Sequence, residues 1–195
     1  MIVTVASLKG GQGKSTTAIH LAAHFSRRAP TLLIDGDPNR SVTRWAEPGH
    51  LPFAVTGSAQ AAMVAHKYKH IVIDTKARPE TEDVRDLAHG CHLLVLPCTP
   101  DTLSLDTLRP MISMLDSFGI RCEYRVLLTI VPPPPMREGE LARQALADAG
   151  IPMFGTWIPR TIKFQRCVAE GVTVDSEEYE QVGKEIDGLK LRLRA

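Results

Sequence analysis

Short apolar runs alternate along the chain with segments of helical spacing. Residues 2–6 read Ile-Val-Thr-Val-Ala, β-branched and apolar, which suits a buried strand. From Lys14 onward, Ala18, Leu21, Ala22 and Phe25 share one helical face. Arg27-Arg28-Ala29-Pro30 ends that helix with cations and a proline stop. Residues 31–35 are continuously apolar up to Asp35, as in a parallel sheet covered on both faces. The same reading predicts strands at 69–74, 92–97, 124–130 and 153–158, with a minor strand at 51–55. Helices are predicted at 41–47, at 58–66 with Ser58 as its N-cap, and at 81–89 behind an acidic first turn. Further helices are predicted from about 99 to 117, at 138–149 closed by Gly150, and at 176–194. The run Val131-Pro132-Pro133-Pro134-Pro135 reads as a stiff, exposed connector. Strands alternating with helices predict an α/β fold, a doubly wound, mainly parallel sheet with helices on both faces, in one domain over 1–195.

Composition narrows this picture. The chain has 195 residues and a formal net charge of +1, so any polyanion site must be a local patch. Cys91, Cys98, Cys122 and Cys167 show no C-x-x-C spacing and read as reduced thiols of a cytosolic protein. Nothing at the N-terminus resembles a signal peptide, and no apolar run approaches the roughly 20 residues that span a bilayer. His20 and His24 stand at i, i+4, a spacing that can share a metal. The interval Leu-Ala-Ala lacks the acidic residue of an H-E-x-x-H frame, and both are read as polar-face residues. His89 and His92 flank the start of a strand and carry no metal reading.

The chemistry concentrates between the first strand and the first helix, in Lys9-Gly10-Gly11-Gln12-Gly13-Lys14-Ser15-Thr16. Strand, glycine loop and helix form the context of a phosphate-binding loop: loop N–H groups and the helix N-terminus point at an anion. Lys14 reaches β- and γ-phosphates, and the Ser15 hydroxyl ligates Mg²⁺. The general pattern G-x-x-x-x-G-K-[ST] is incomplete, because Leu8 stands where its first glycine belongs. Asp35 and Asp37 follow an apolar strand at the edge where parallel sheets place ligand chemistry. Asp74 ends another strand in the Walker B arrangement, which binds Mg²⁺.

Lys9-Gly-Gly-x-Gly-Lys14-[ST] resembles the deviant Walker A of the ParA/MinD family. Asp35-Gly36-Asp37-Pro38-Asn39-Arg40-Ser41 is similar to the Asp-x-Asp-Pro-Gln-x-Ser of partition ATPases, with Asn39 in the glutamine position. Pro100-x-x-x-Ser104-Leu105-Asp106 and the loop Ile158-Pro159-Arg160 continue the resemblance over nearly the whole chain. It implies an ATPase using ATP/ADP and Mg²⁺, with Ser15, Asp35 and Asp74 serving the metal and Asp37 orienting the attacking water. Lys9 is implied to cross a dimer interface to the partner's nucleotide. Pro159 and Arg160 are implied to wrap the base, behind a helix that ends in Glu170-Gly171-Val172-Thr173-Val174. Thr129 and Ile130 stand where relatives carry an asparagine that touches adenine. Lys76 and Arg78, after Asp74, depart from the pattern; two readings stand, positive charge near the nucleotide or the dimer partner and solvated surface, with surface preferred.

The resemblance further implies an ATP-dependent homodimer that binds nucleoid DNA without sequence preference, stimulated by a ParB-like adaptor and positioning plasmid, chromosome or protein-organelle cargo. Location is then cytoplasmic, and nucleoid-associated when ATP-bound. Lys163, Arg166, Lys184, Lys190 and Arg192 are the basic residues suited to phosphate neutralisation, beside Arg160 and Arg194. A synthetase-like metabolic enzyme on the same fold is the alternative; it needs a substrate pocket beside the γ-phosphate. An iron-protein-like reductase needs cluster-bridging cysteines, which Cys91 and Cys98 do not supply. A MinD-like membrane switch needs a C-terminal amphipathic helix, and Leu189, Leu191 and Leu193 alternate with period two instead. No stable membrane association is expected.

Overall fold

The computed structural model describes residues 1–77, 79–117, 122–170 and 176–191. Six strands form one sheet: β1 (Ile2–Val5), β2 (Thr31–Gly36), β3 (Ala54–Gly57), β4 (His70–Thr75), β5 (Leu93–Cys98) and β6 (Glu123–Leu128). Their order is β3-β2-β4-β1-β5-β6, and every pairing is parallel. The sheet is therefore doubly wound about β1.

Two apolar layers explain why the strand runs are continuously apolar. Successive side chains of a strand point to opposite faces, and both faces are covered. Val3 and Val5 of β1, with Leu93 and Val95 of β5, pack under α1 (Lys14–Ser26), Trp45 of α2 (Ser41–Ala46) and α8 (Glu177–Gly188). Leu94 and Leu96 of β5 face the other way, against α4 (Thr81–His89), α5 (Thr102–Ser117) and α6 (Glu138–Asp148). The remaining helices are α3 (Ser58–Val64), continued by a 3₁₀ turn, and α7 (Lys163–Glu170).

Register places the chemistry. Asp35 of β2 stands opposite Asp74 of β4, and Asp74 opposite Val5 of β1. Two carboxylates and the start of the glycine loop thus leave the sheet at one level. The α6 terminus follows the sequence: Gly150 has φ 66, and the bonds Gly150 N–H to Ala147 O and Ile151 N–H to Leu146 O close a Schellman motif.

Several elements differ from expectation. The segment 153–158 forms no named strand; isolated bridges join Val126 to Met153 and, just beyond it, Val131 to Pro159. Glu185 of α8 takes the N–H groups of Gly155 and Thr156 at 2.8 and 3.0 Å, so these two N–H groups do not serve a ladder with β6. The minor strand starts at Ala54, past Pro52, which cannot donate. Ser58 is the first residue of α3, and Gly57 is its cap. The last helix stops at Gly188, where Leu189 turns extended, and Leu189 and Leu191 pack against the core. Their period-two alternation serves that packing. Residues 171–174, Arg78, Arg192 and Arg194 lie outside the described residues.

His20 and His24 are not on a polar face. They are 3% and 7% exposed, because α8 covers that side of α1. His24 lies against Gly183, where a Cβ would come within 2.4 Å of its ring, and its Nε2 meets Asp187 at 2.9 Å. Arg28 pairs with the same carboxylate. His20 stacks on Tyr179 at 4.6 Å between centroids.

Candidate nucleotide site

The glycine loop adopts the backbone that glycine permits. Gly11 and Gly13 have φ 77 and 76, in the left-handed region where a side chain strains the chain. Gly13 caps α1 without any side-chain hydrogen bond, so the N–H groups of its first turn are available to an anion. Lys14 is 6% exposed. Burial lowers its pKa, while the carboxylates of Asp74 and Asp37 oppose that shift. A buried cation between two carboxylates at a helix N-terminus is poised for a polyanion.

The metal-side residues converge. Ser15 Oγ donates to Asp74 Oδ2 at 2.6 Å. Asp74 is fully buried, and its Oδ1 has no hydrogen-bond partner. Burial pushes its pKa up to about 7, against the pull of Ser15 and Lys14. An orphaned carboxylate oxygen beside a hydroxyl is a hard-oxygen donor set and fits Mg²⁺. That ion uses one or two carboxylates, substrate phosphates and waters rather than a closed cage. No cluster of three or more His, Cys, Asp or Glu that could hold a metal occurs among the described residues.

Asp35 is held by hydrogen bonds from the loop and helix that follow it. Its Oδ1 accepts the Asp37 N–H at 3.2 Å, and its Oδ2 accepts Thr43 N–H and Oγ1–H at 2.8 and 2.7 Å. One donor from its own loop and two from Thr43 of α2 make it a brace between that loop and α2. Asp37 is half-buried, and its Oδ1 accepts Asn39 N–H and Nδ2–H at 2.9 and 3.0 Å. Asn39 therefore orients Asp37 through its own short side chain.

Lys9 reaches toward the start of α5. Its Nζ donates to Ser104 Oγ at 2.8 Å and to Asp101 Oδ1 at 3.3 Å. Gln12, nominated as a nucleotide contact, is 3% exposed, and its side chain joins the same network. Its Nε2 donates to Thr99 Oγ1 and Ser104 Oγ, and its Oε1 accepts the Thr99 N–H. Only its backbone remains for phosphate. Burial would raise the Asp101 pKa, but hydrogen bonds from Ser104, Thr99 and Lys9 hold the carboxyl well below the usual range. Thr99, Asp101 and Ser104 thus tie Lys9 and Gln12 of the loop to the start of α5. The string Pro100-x-x-x-Ser104 marked the place but not this role.

A cleft of roughly 290 Å³ continues from Gly13 and Thr16 past Thr129 and Ile130 to Pro159 and Arg160. Thr129 Oγ1 donates to Gln12 O at 3.0 Å, and Arg160 N–H donates to Val131 O at 2.7 Å. The Pro159–Arg160 loop is therefore fixed beside the glycine loop. Arg160, Lys163, Arg166 and Lys190 are exposed. Lys184 is paired with Glu180 at 2.8 Å, and Lys76 with Asp83 at 2.7 Å on the surface.

Residues 3–174 match the family described as CobQ/CobB/MinD/ParA nucleotide binding domain. The chain is similar to the maintenance of carboxysome distribution protein A of Gloeobacter kilaueensis, at 30% identity over 95% of this chain and 94% of the relative. It is also similar to Protein ParA of Rhizobium radiobacter, at 27% identity over 68% of this chain and 65% of that protein. In fold it resembles the MinD cell division protein of Aquifex aeolicus, with TM-score 0.77 at 15% identity over 99% of each chain. Apo McdA from Cyanthece gives TM-score 0.76 at 16% identity, over 96% of this chain and 99% of that one. The chain belongs to the CobQ/CobB/MinD/ParA nucleotide-binding family.

Proposed function

We propose that this member of the family is a Mg²⁺-dependent ATPase that dimerises on ATP and positions a cellular cargo. The observation that carries this is the division of labour between two lysines around one glycine loop. Lys14 is buried where phosphates would lie, and its ammonium offsets their charge. Lys9, its side chain 36% exposed, is bonded to Ser104 and Asp101, and we propose that it exchanges these partners for a nucleotide on a second chain. Bound ATP–Mg²⁺ supplies the anhydride to be cleaved and the charge that polarises it. Ser15 and Asp74 would hold the metal, and Asp35 braces the loop on which Asp37 would orient the attacking water. ADP remains after phosphate leaves, and the dimer loses the shared contact.

The names of the relatives support a cargo-positioning role. Carboxysome distribution and plasmid partition are the uses that those names carry, and either a protein organelle or DNA fits here. Non-specific nucleoid DNA is the proposed track, with Arg160, Lys163, Arg166 and Lys190 as its contacts. A ParB-like adaptor is the proposed stimulator, and location is cytoplasmic. No helix among the described residues is long and apolar enough to cross a membrane.

The test is light scattering with ATP–Mg²⁺, together with DNA binding at low salt and near 200 mM, where phosphate neutralisation weakens steeply. Wild type should dimerise; Lys9→Ala should bind ATP as a monomer and lose tight DNA binding. A wild type that stays monomeric with ATP sinks the switch. A synthetase-like reading has one observation in its favour, a cleft of roughly 370 Å³ against Asp35 and Asp37 that Arg40, Ser58 and Gln60 line. Turnover without any small co-substrate removes it.

A further inference from the structure

We infer that Cys91 and Cys122 form a reversible disulfide when the chain meets a disulfide or peroxide oxidant, a modification site at the end of the sheet opposite the glycine loop. The site is independent of the nucleotide reading. β5 and β6 run parallel with Leu93 opposite Glu123, and the two cysteines stand just before those residues. Continuing the register backward sets Cys122 opposite His92, one step along from Cys91. That diagonal is a Cα separation of roughly 6 Å, inside the range that a disulfide bridges. Both side chains also face the same way. Leu93 belongs to the layer under α1, whereas Cys91 and Cys122 belong to the opposite layer, with Leu94, Leu96 and Leu115. Strict alternation would put Cys91 on the Leu93 face. Cys91 precedes β5, and the joint after α4 turns it to the side of Cys122.

Exposure and acidity divide the roles. Cys91 is 4% exposed, and Cys122 is half-buried. Each thiol is the largest influence on the other: the Cys122 side chain and burial push Cys91 up, and Cys91 holds Cys122 below the usual thiol range. Cys122 is therefore the thiolate that meets the oxidant. With oxidised glutathione, the Cys122 sulfur bonds to one glutathione sulfur, the glutathione S–S bond breaks, and one glutathione leaves with the Cys122 proton. The Cys91 sulfur then bonds to the Cys122 sulfur, the mixed S–S bond breaks, and the second glutathione leaves with the Cys91 proton. Two protein thiols are oxidised to one disulfide, and one disulfide is reduced to two thiols. Thr4 of β1, fully buried with its Oγ1 unpartnered, acts on Cys91 in the direction that favours its thiolate, which the second step needs. Cys98 is 1% exposed, and burial pushes its thiol up to about 12, so it stays inert. The bond joins the starts of β5 and β6 and closes a loop of about 30 residues. In a reducing compartment such a bond is transient and registers oxidation.

The experiment incubates the full folded chain with oxidised glutathione, then counts free thiols and maps linked peptides by mass spectrometry. Two of the four thiols should be lost, the mass should fall by two hydrogens, and one linked peptide should join Cys91 to Cys122. Dithiothreitol should restore all four. Cys91→Ser should stop at the first step and keep one glutathione on Cys122, whereas Cys122→Ser should take up none. The thermal midpoint of the oxidised wild type should rise by about 5–15 °C, the scale of closing a loop of this length in a chain of this size. Four free thiols after exposure, a stable glutathione adduct in wild type, or a link through Cys98 or Cys167 each overturns the inference on the wild type alone. Glutathione on Cys122→Ser overturns the order of attack. A linked chain whose midpoint does not rise overturns the stapling of β5 to β6.

Discussion

The proposed phosphate half and base half of the nucleotide site are built on opposite plans. The phosphate half comes from contiguous residues 9–16 and from strand-end carboxylates that register aligns. It is held by charge: a buried Lys14, a buried Asp74 and a Ser15–Asp74 bond of 2.6 Å. The base half gathers Ile130, Pro159, Phe164 and Tyr179 from distant parts of the chain. It is held by packing, with His20 stacked on Tyr179 and edge-on to Phe164 and Trp45. Charged halves are sensitive to single deletions, because the partner left behind stays buried and unpaired. Packed halves lose stability by increments.

The largest expected effect is chemical and lies in the phosphate half. Asp37→Ala should lower turnover by about 10²–10⁴-fold, the usual worth of a positioned general base, with ATP affinity nearly unchanged. Single-turnover hydrolysis beside a binding isotherm separates the two. Loss of binding instead would make Asp37 a metal or structural residue. Lys14→Ala should cost about 2–4 kcal/mol of affinity, as when one member of a buried charge pair is removed. The loss should be equal for ATP and tripolyphosphate, because this half does not meet the base. A loss confined to ATP would break the division between the halves.

His20 sharpens the comparison through pH. Burial lowers its pKa to about 4 from the ordinary 6.5. Between these values the unfolded chain binds more protons than the folded one, so stability rises with pH and is lost as pH falls from 6.5 toward 4. The difference is of order 3 kcal/mol, from the free-energy worth of each pKa unit. Urea unfolding of wild type and His20→Leu across that range checks it: the variant should show a flatter pH dependence, and an equal slope would mean that His20 is not the group responsible. The smallest effect is Phe164→Ala. It should weaken ATP by about 1 kcal/mol, the scale of one aromatic contact, and leave tripolyphosphate binding as it was. Equal weakening of both would place Phe164 in the phosphate half.

What the sequence by itself determined is whatever neighbours along the chain decide. The glycine loop was legible because strand, glycines, Lys14 and helix face are contiguous, and each carries its own backbone preference. Asp35 and Asp74 were legible because a carboxylate ending an apolar run must leave the sheet edge. The α/β alternation followed from period and length, and the Gly150 cap from its φ freedom. Tertiary structure decided the rest, where a distant element chooses which face is covered or which donor is taken. His20 and His24 are buried because α8, some 160 positions away in the chain, lies on that side of α1. Residues 153–158 fail as a full strand because Glu185 takes two of their N–H groups. Lys9 and Gln12 share Ser104 because β5 lies beside β1 and delivers the start of α5 to the loop. Local propensity is a property of a few adjacent residues. Burial and hydrogen-bond partnership belong to pairs that only the folded chain brings together.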